Sequence, residues 1–265
     1  LLALGCGGDA DPGAASATAI ETAGPAPAER VATALAALRS APPPARPPAE
    51  EVLAVHRALA AGDLARAREL SAALLARSPE DPEAALARGI VLFLSGSYGN
   101  ARPLLEQALA AAPGFPGADR ILYFYGSCLT RLGDGAGARA ALEGQLELLP
   151  EDGDTLVALG ELDLQEGRTE EALDRFERAR PSLATEQERG IPVQASLARL
   201  EAGAGAALLQ LGRVEEAAAA LEHSVQLDPS RPETWYALSR ARLRLGDLEG
   251  ASRAVGRFRA LSPPR

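Results

Sequence analysis

Apolar side chains run along this chain at helical spacing, in segments that glycine and proline cut to similar lengths. Residues 28–40 form the first segment, with Leu35 and Leu38 as its stripe. The run Pro42-Pro43-Pro44-Ala45-Arg46-Pro47-Pro48 then favours an extended polyproline conformation and parts that short helix from the rest of the chain. Beyond it, a helical run, a glycine and a second helical run recur, centred on Gly62, Gly96, Gly133, Gly167, Gly212 and Gly246. The separations are 34, 37, 34, 45 and 34 residues. An alanine keeps the same beat five residues later, at Ala67, Ala101, Ala138, Ala172, Ala217 and Ala251. A proline seventeen residues after the glycine stands at Pro79, Pro113, Pro150, Pro229 and Pro263, and Ala184 replaces it once. Three residue types in one register predict a repeated pair of helices.

Each residue type has a physical reason to sit where it does. The central glycine can take the left-handed conformation that ends the first helix of a pair (helix A) and turns the chain into the second (helix B). Asp63, Asp134, Asp247 and Thr169 are placed to cap B helices. Asp81-Pro82 reads as a cap followed by the first helical residue. Gly89, Gly126, Gly160 and Gly205 are small where helices A and B cross.

A period of 34 with this punctuation resembles the tetratricopeptide repeat. The residues carrying the likeness are Trp235-Tyr236-Ala237-Leu238, Leu156-x2-Leu159-Gly160 with Ala172-x3-Phe176, Leu122-x2-Tyr125-Gly126, and Ala101-x3-Leu105. The register divides the chain into six units: 48–81, 82–115, 119–152, 153–186, 198–231 and 232–265. Residues 116–118 and 187–197 are insertions, the second expected to lengthen helix A of the fifth unit from Pro192 onward. The resemblance implies a right-handed, all-α solenoid whose A helices line a concave groove for a peptide or a helix of a protein partner. Carried over position by position, that groove takes Phe93 with Leu86 and Ile90, Arg120, Tyr123, Ser127, Thr130 and Arg131, and Glu161 with Val157 and Gln165. From the last two units it takes Arg199, Gln210, Tyr236, Arg240 and Arg244. Arginine and tyrosine commonly anchor interfaces, and the arginines suit an acidic segment. The family's chaperone-binding clamp for a terminal carboxylate is absent, with Val52, His56, Leu86 and Ile90 in its places.

Composition agrees with a helical reading: 47% of residues are apolar, only 4% aromatic, with Ala and Leu dominant. The net charge of -9 and the lack of a basic block argue against nucleic acid. All 27 basic residues are Arg, a bias of composition that discounts any single one. His56 and His223 fall in distant units, and no nucleophile–base set, cofactor motif or metal-ligand cluster can be assembled. Gly133-Asp134-Gly135-Ala136-Gly137 lacks the preceding strand and the lysine of a phosphate loop. A non-catalytic scaffold is expected, with no cofactor.

The start, Leu1-Leu2-Ala3-Leu4-Gly5-Cys6, resembles the tail of a bacterial lipoprotein signal. That implies lipidation of Cys6, a tether over residues 7–27, and a periplasm-facing protein of the bacterial envelope held to the membrane through lipid alone. Cys128 is expected to be a small buried helix residue. Two other readings stay open at this point: a cytoplasmic regulatory module, or an accessory subunit of a larger enzyme complex. The last unit, with Arg253, Arg257 and Arg259, either caps itself or pairs with a second copy.

Overall fold

A computed structural model describes residues 25–42 and 44–262, so Cys6 and residues 7–24 of the expected tether lie outside the described residues, while Pro27 already begins a helix. Thirteen α-helices and no strand occur among them. Helix α1 (Pro27–Ser40) precedes six antiparallel pairs. These are α2 (Glu50–Ala60) with α3 (Leu64–Arg77), α4 (Pro82–Leu94) with α5 (Tyr98–Ala110), and α6 (Ile121–Leu132) with α7 (Gly135–Leu148). After them come α8 (Gly153–Gln165) with α9 (Thr169–Glu188), α10 (Gln194–Gln210) with α11 (Val214–Leu227), and α12 (Pro232–Arg244) with α13 (Leu248–Leu261). Each B helix packs on its own A helix and on the next one, and A helices also touch successive A helices, making an α-solenoid with an inner row of A helices.

The turns work as the residue types require. All six central glycines have positive φ, between 72° and 83°. Asp63, Asp134 and Asp247 accept backbone N–H groups of Arg66, Gly137 and Gly250, and Asp81 caps α4 ahead of Pro82. Thr169 departs from expectation. Arg168 holds the cap position of α9, while Thr169 is the first helical residue and its hydroxyl donates to Gln210 Oε1 at 2.7 Å.

Crossing helices approach closely at glycine. A Cβ on Gly126 would lie 2.8 Å from Leu142 Cγ, and one on Gly205 2.5 Å from Leu221 Cγ. The Phe176 ring fills the space between Gly160 of α8 and Gly203 of α10. Cys128 is buried in α6, and burial pushes its thiol up to about 11.

Two further features differ from the sequence reading. The insertion after the fourth unit lengthens both flanking helices: α9 runs through Pro181 and Ala184 to Glu188, and α10 starts at Gln194. Where other units have a proline to stop helix B, Ala184 lets it continue. The first helix, α1, is not merely a spacer. It lies against α7 and α5, burying Val31, Ala34 and Leu35 in the core shared by α4 to α8. Gly137 and Gly144 make room, since a Cβ there would meet Pro27 at 2.8 Å and Leu35 at 3.3 Å. Arg30 pairs with Glu106 at 3.2 Å and Arg39 pairs with Glu147.

Candidate functional site

The A helices of the first five pairs enclose two adjoining depressions that share Leu94 and Tyr123. The first, of about 390 Å³, is walled by Val52 and Leu59 of α2, Leu86 and Ile90 of α4, and Phe124 of α6. Polar groups enter at its edge, from His56, Glu83, Arg120 and Asp154. The second, of about 310 Å³, is lined by Phe93 and Tyr98, by Tyr123, Ser127, Thr130 and Arg131 of α6, by Glu161 of α8 and by Ser196 and Arg199 of α10.

Helical spacing explains the second wall. Tyr123, Ser127 and Arg131 are four residues apart and stack along one face of α6. Phe93, Tyr98 and Phe124 form an aromatic edge, with the Phe93 centroid 5.6 Å from Tyr98 and 6.2 Å from Phe124. Opposite them, Arg199 grips both oxygens of Glu161, at 3.0 and 2.7 Å, and approaches Tyr123 Oη at 3.5 Å. Burial opposes charge on Glu161, yet the neighbouring Arg199 holds its carboxyl below the ordinary value of 4.5. Burial raises the Tyr123 phenol above its ordinary value. Arg120 lies 5.3 Å over the Tyr123 ring and pairs with Asp152 at 2.8 Å and Asp154 at 3.2 Å.

The sequence-derived groove residues therefore divide. Phe93, Tyr123, Ser127, Arg131, Glu161 and Arg199 meet at one cavity, and Arg120 joins Tyr123 at the other. Tyr236, Arg240 and Arg244 line neither. Tyr236 packs on Phe258 of α13 at 5.5 Å, and Arg244 donates to the Leu209 carbonyl at 2.8 Å. Val157 is wholly buried in the core. Arg120 and Arg199 spend their charge inside the protein, so neither is a free anchor for an acidic segment; Arg131 makes no ion pair among the described residues. Tyr98, Ser196 and Asp154 were missed, because they stand at helix starts outside the pattern of groove positions.

No group of three or more His, Cys, Asp or Glu positioned for a metal ion occurs among the described residues, and no described helix is long and apolar enough to cross a membrane.

Family models described as tetratricopeptide repeat match residues 52–114 and, in a second model, 92–152 and 208–261. A curated relative, the protein CTR9 homolog of Arabidopsis thaliana, is 31% identical over 124 residues, covering 46% of this chain and 11% of that protein. Among solved structures, the APC/C hetero-tetramer Cut9–Hcn1 aligns over 81% of this chain and 40% of that chain, at 19% identity and a TM-score of 0.66. PilW, described as a widely conserved type IV pilus biogenesis factor, aligns over 82% and 94% at 17% identity, with a TM-score of 0.59. The chain thus spans less than half the length of the CTR9 homolog and Cut9–Hcn1 chains it matches.

Proposed function

This chain belongs to the tetratricopeptide repeat family, and from that premise we propose that it is a non-catalytic scaffold that holds a peptide or helix of a protein partner across α2, α4, α6, α8 and α10. The tetratricopeptide fold itself suggests a protein–protein interaction scaffold. The observation that carries the finer reading is the pair of adjoining cavities, one apolar and one polar-rimmed, on the inner row of helices. Concave sites of that size with few convergent polar groups suit side chains presented by a ligand. Cys6 and residues 7–27 supply the proposed lipid tether to a bacterial envelope.

The test is cross-linking and affinity recovery from the native host with wild type beside Tyr123→Ala/Arg131→Ala. The scaffold reading expects a polypeptide lost from the variant; equal recovery of every partner removes the groove from the account. Mass spectrometry of the native protein reads the tether separately, since an unmodified Cys6 thiol excludes it. A stable catalytic companion in the recovered complex would favour an accessory-subunit role instead.

A further inference from the structure

The polar cavity has a surplus of hydrogen-bond donors. Ser127 is 7% exposed, and its hydroxyl, shielded from water in the cavity wall, has no hydrogen-bond partner. Thr130, on the same helix, uses its hydroxyl on the Gly126 carbonyl at 3.0 Å, which shows the local alternative that Ser127 does not take. One turn beyond Ser127, exposed Arg131 carries a guanidinium with no ion pair among the described residues. The Tyr123 hydroxyl accepts from Arg199, leaving its own proton unused. Glu161 is the acceptor-bearing charge of the cavity wall, and both its oxygens are occupied by Arg199.

Two arginines thus face one carboxylate, which Arg199 already engages through both oxygens, and three donors remain unspent. A buried donor without a partner is costly, and a ligand acceptor would satisfy it. From this inventory we propose that the cavity between α4, α6, α8 and α10 is a subsite for a carboxylate, supplied by an acidic side chain of the bound segment. The Tyr123 hydroxyl and the Arg131 guanidinium donate to it, and the shielded Ser127 hydroxyl joins them by turning its side chain toward the cavity. The neighbouring apolar depression across Leu94 and Tyr123 receives an aliphatic side chain of the same segment, so the recognised feature is an aliphatic–acidic pair. This rests on the groove reading above and assigns its chemistry.

The test uses a combinatorial library of displayed twelve-residue peptides panned on the purified chain. Selected peptides are then resynthesised with amidated or free C-termini, and with each Asp or Glu replaced by Asn or Gln. Binding by fluorescence anisotropy is compared for wild type, Leu86→Glu, Ser127→Ala and Arg131→Ala. The proposal expects enrichment of Asp or Glu at a fixed offset from an aliphatic residue. It further expects about tenfold weaker binding on amide replacement or in Arg131→Ala, and weaker binding in Ser127→Ala, with unchanged circular dichroism for Ser127→Ala and Arg131→Ala. Amidation should cost nothing; if binding needs the free C-terminus, the carboxylate is a chain end and the side-chain assignment is overturned. Peptides sensitive to Leu86→Glu but indifferent to Arg131→Ala and to acidic replacement overturn the subsite while keeping the groove. Should no selected peptide respond to Leu86→Glu, the groove reading itself fails.

Discussion

Replacing Gly203 with alanine should destabilise this protein, although alanine is the better helix former. Gly203 lies inside α10, where exchanging Gly for Ala at an open position gains about 1 kcal/mol. Its Cβ, however, would stand 2.3 Å from Phe176 Cζ and 2.8 and 2.9 Å from the two Cε atoms. The ring has nowhere to go, because a Cβ on Gly160 behind it would already be 2.7 Å from Cε1. Overpacking of a filled core costs about 1–3 kcal/mol, and a wedged aromatic ring belongs at the upper end. Subtracting the helical gain leaves a loss of about 2 kcal/mol. At about 2–4 °C per kcal/mol for chains approaching this size, the melting temperature should fall by about 4–8 °C. Gly256→Ala is the control: it lies inside α13 with nothing within 4 Å of the added Cβ, and should raise the melting temperature slightly. Differential scanning calorimetry reads both, and hydrogen exchange locates the Gly203→Ala loss at α8 to α10. Adding Phe176→Leu to Gly203→Ala should return part of the loss, a favourable coupling in the double-mutant cycle. A Gly203→Ala protein as stable as Gly256→Ala would refute the wedge.

Other positions give independent tests. Asp163 is wholly buried and bonded to Arg139 at 2.7 Å, Arg168 at 2.9 Å and Arg175 at 2.5 Å; Asp163→Ala leaves Arg175 without a carboxylate while Arg139 and Arg168 keep Glu166, and should cost about 1.5–3 kcal/mol in urea unfolding. Arg199 depresses the Glu161 pKa, so its contribution is present above the ordinary value of 4.5 and is lost as pH falls through the lower folded value. The stability gap between wild type and Glu161→Gln should therefore be full at pH 7 and close below about pH 4.5 in pH-dependent urea titrations; a gap constant with pH would exclude the linkage. Leu35→Asp should release α1 from α7, read as faster proteolysis within residues 41–49 and faster exchange in α7. Ser127→Ala removes a buried hydroxyl without a partner and improves helix propensity, so the unliganded fold should melt at a slightly higher temperature.

The repeat was legible because its signals are local. Glycine, alanine and proline at fixed offsets report turns and helix crossings without reference to distant residues, and Gly62 through Gly246 adopt the backbone those offsets imply. Ala184 was a signal present but unused: without a proline there α9 continues to Glu188, where the insertion had been expected to lengthen only α10. The placement of α1 needed complementarity scattered over Val31, Leu35, Glu106, Gly137 and Gly144, which no period announces. At the site, positions on the A helices gathered seven of the sixteen candidates around one cavity, but their electrostatics were hidden. Arg199 finds Glu161 across 38 residues and Arg120 finds Asp152 across 32, through the solenoid's curvature and not through sequence neighbourhood. The last unit misled for a related reason. Its A helix carries the groove pattern, yet Tyr236 turns to Phe258 and Arg244 to the end of α10.

The central claim is that the inner row of A helices holds a polypeptide. Site-specific photo-cross-linking in the native host tests it, with a benzophenone amino acid placed singly at Ile90, Phe93 or Tyr123 on the inner row and at Arg66, Glu143 or Glu177 on B helices. The account predicts adducts to the same polypeptide from the three inner positions and none from the others. Adducts confined to the B-helix positions would contradict it.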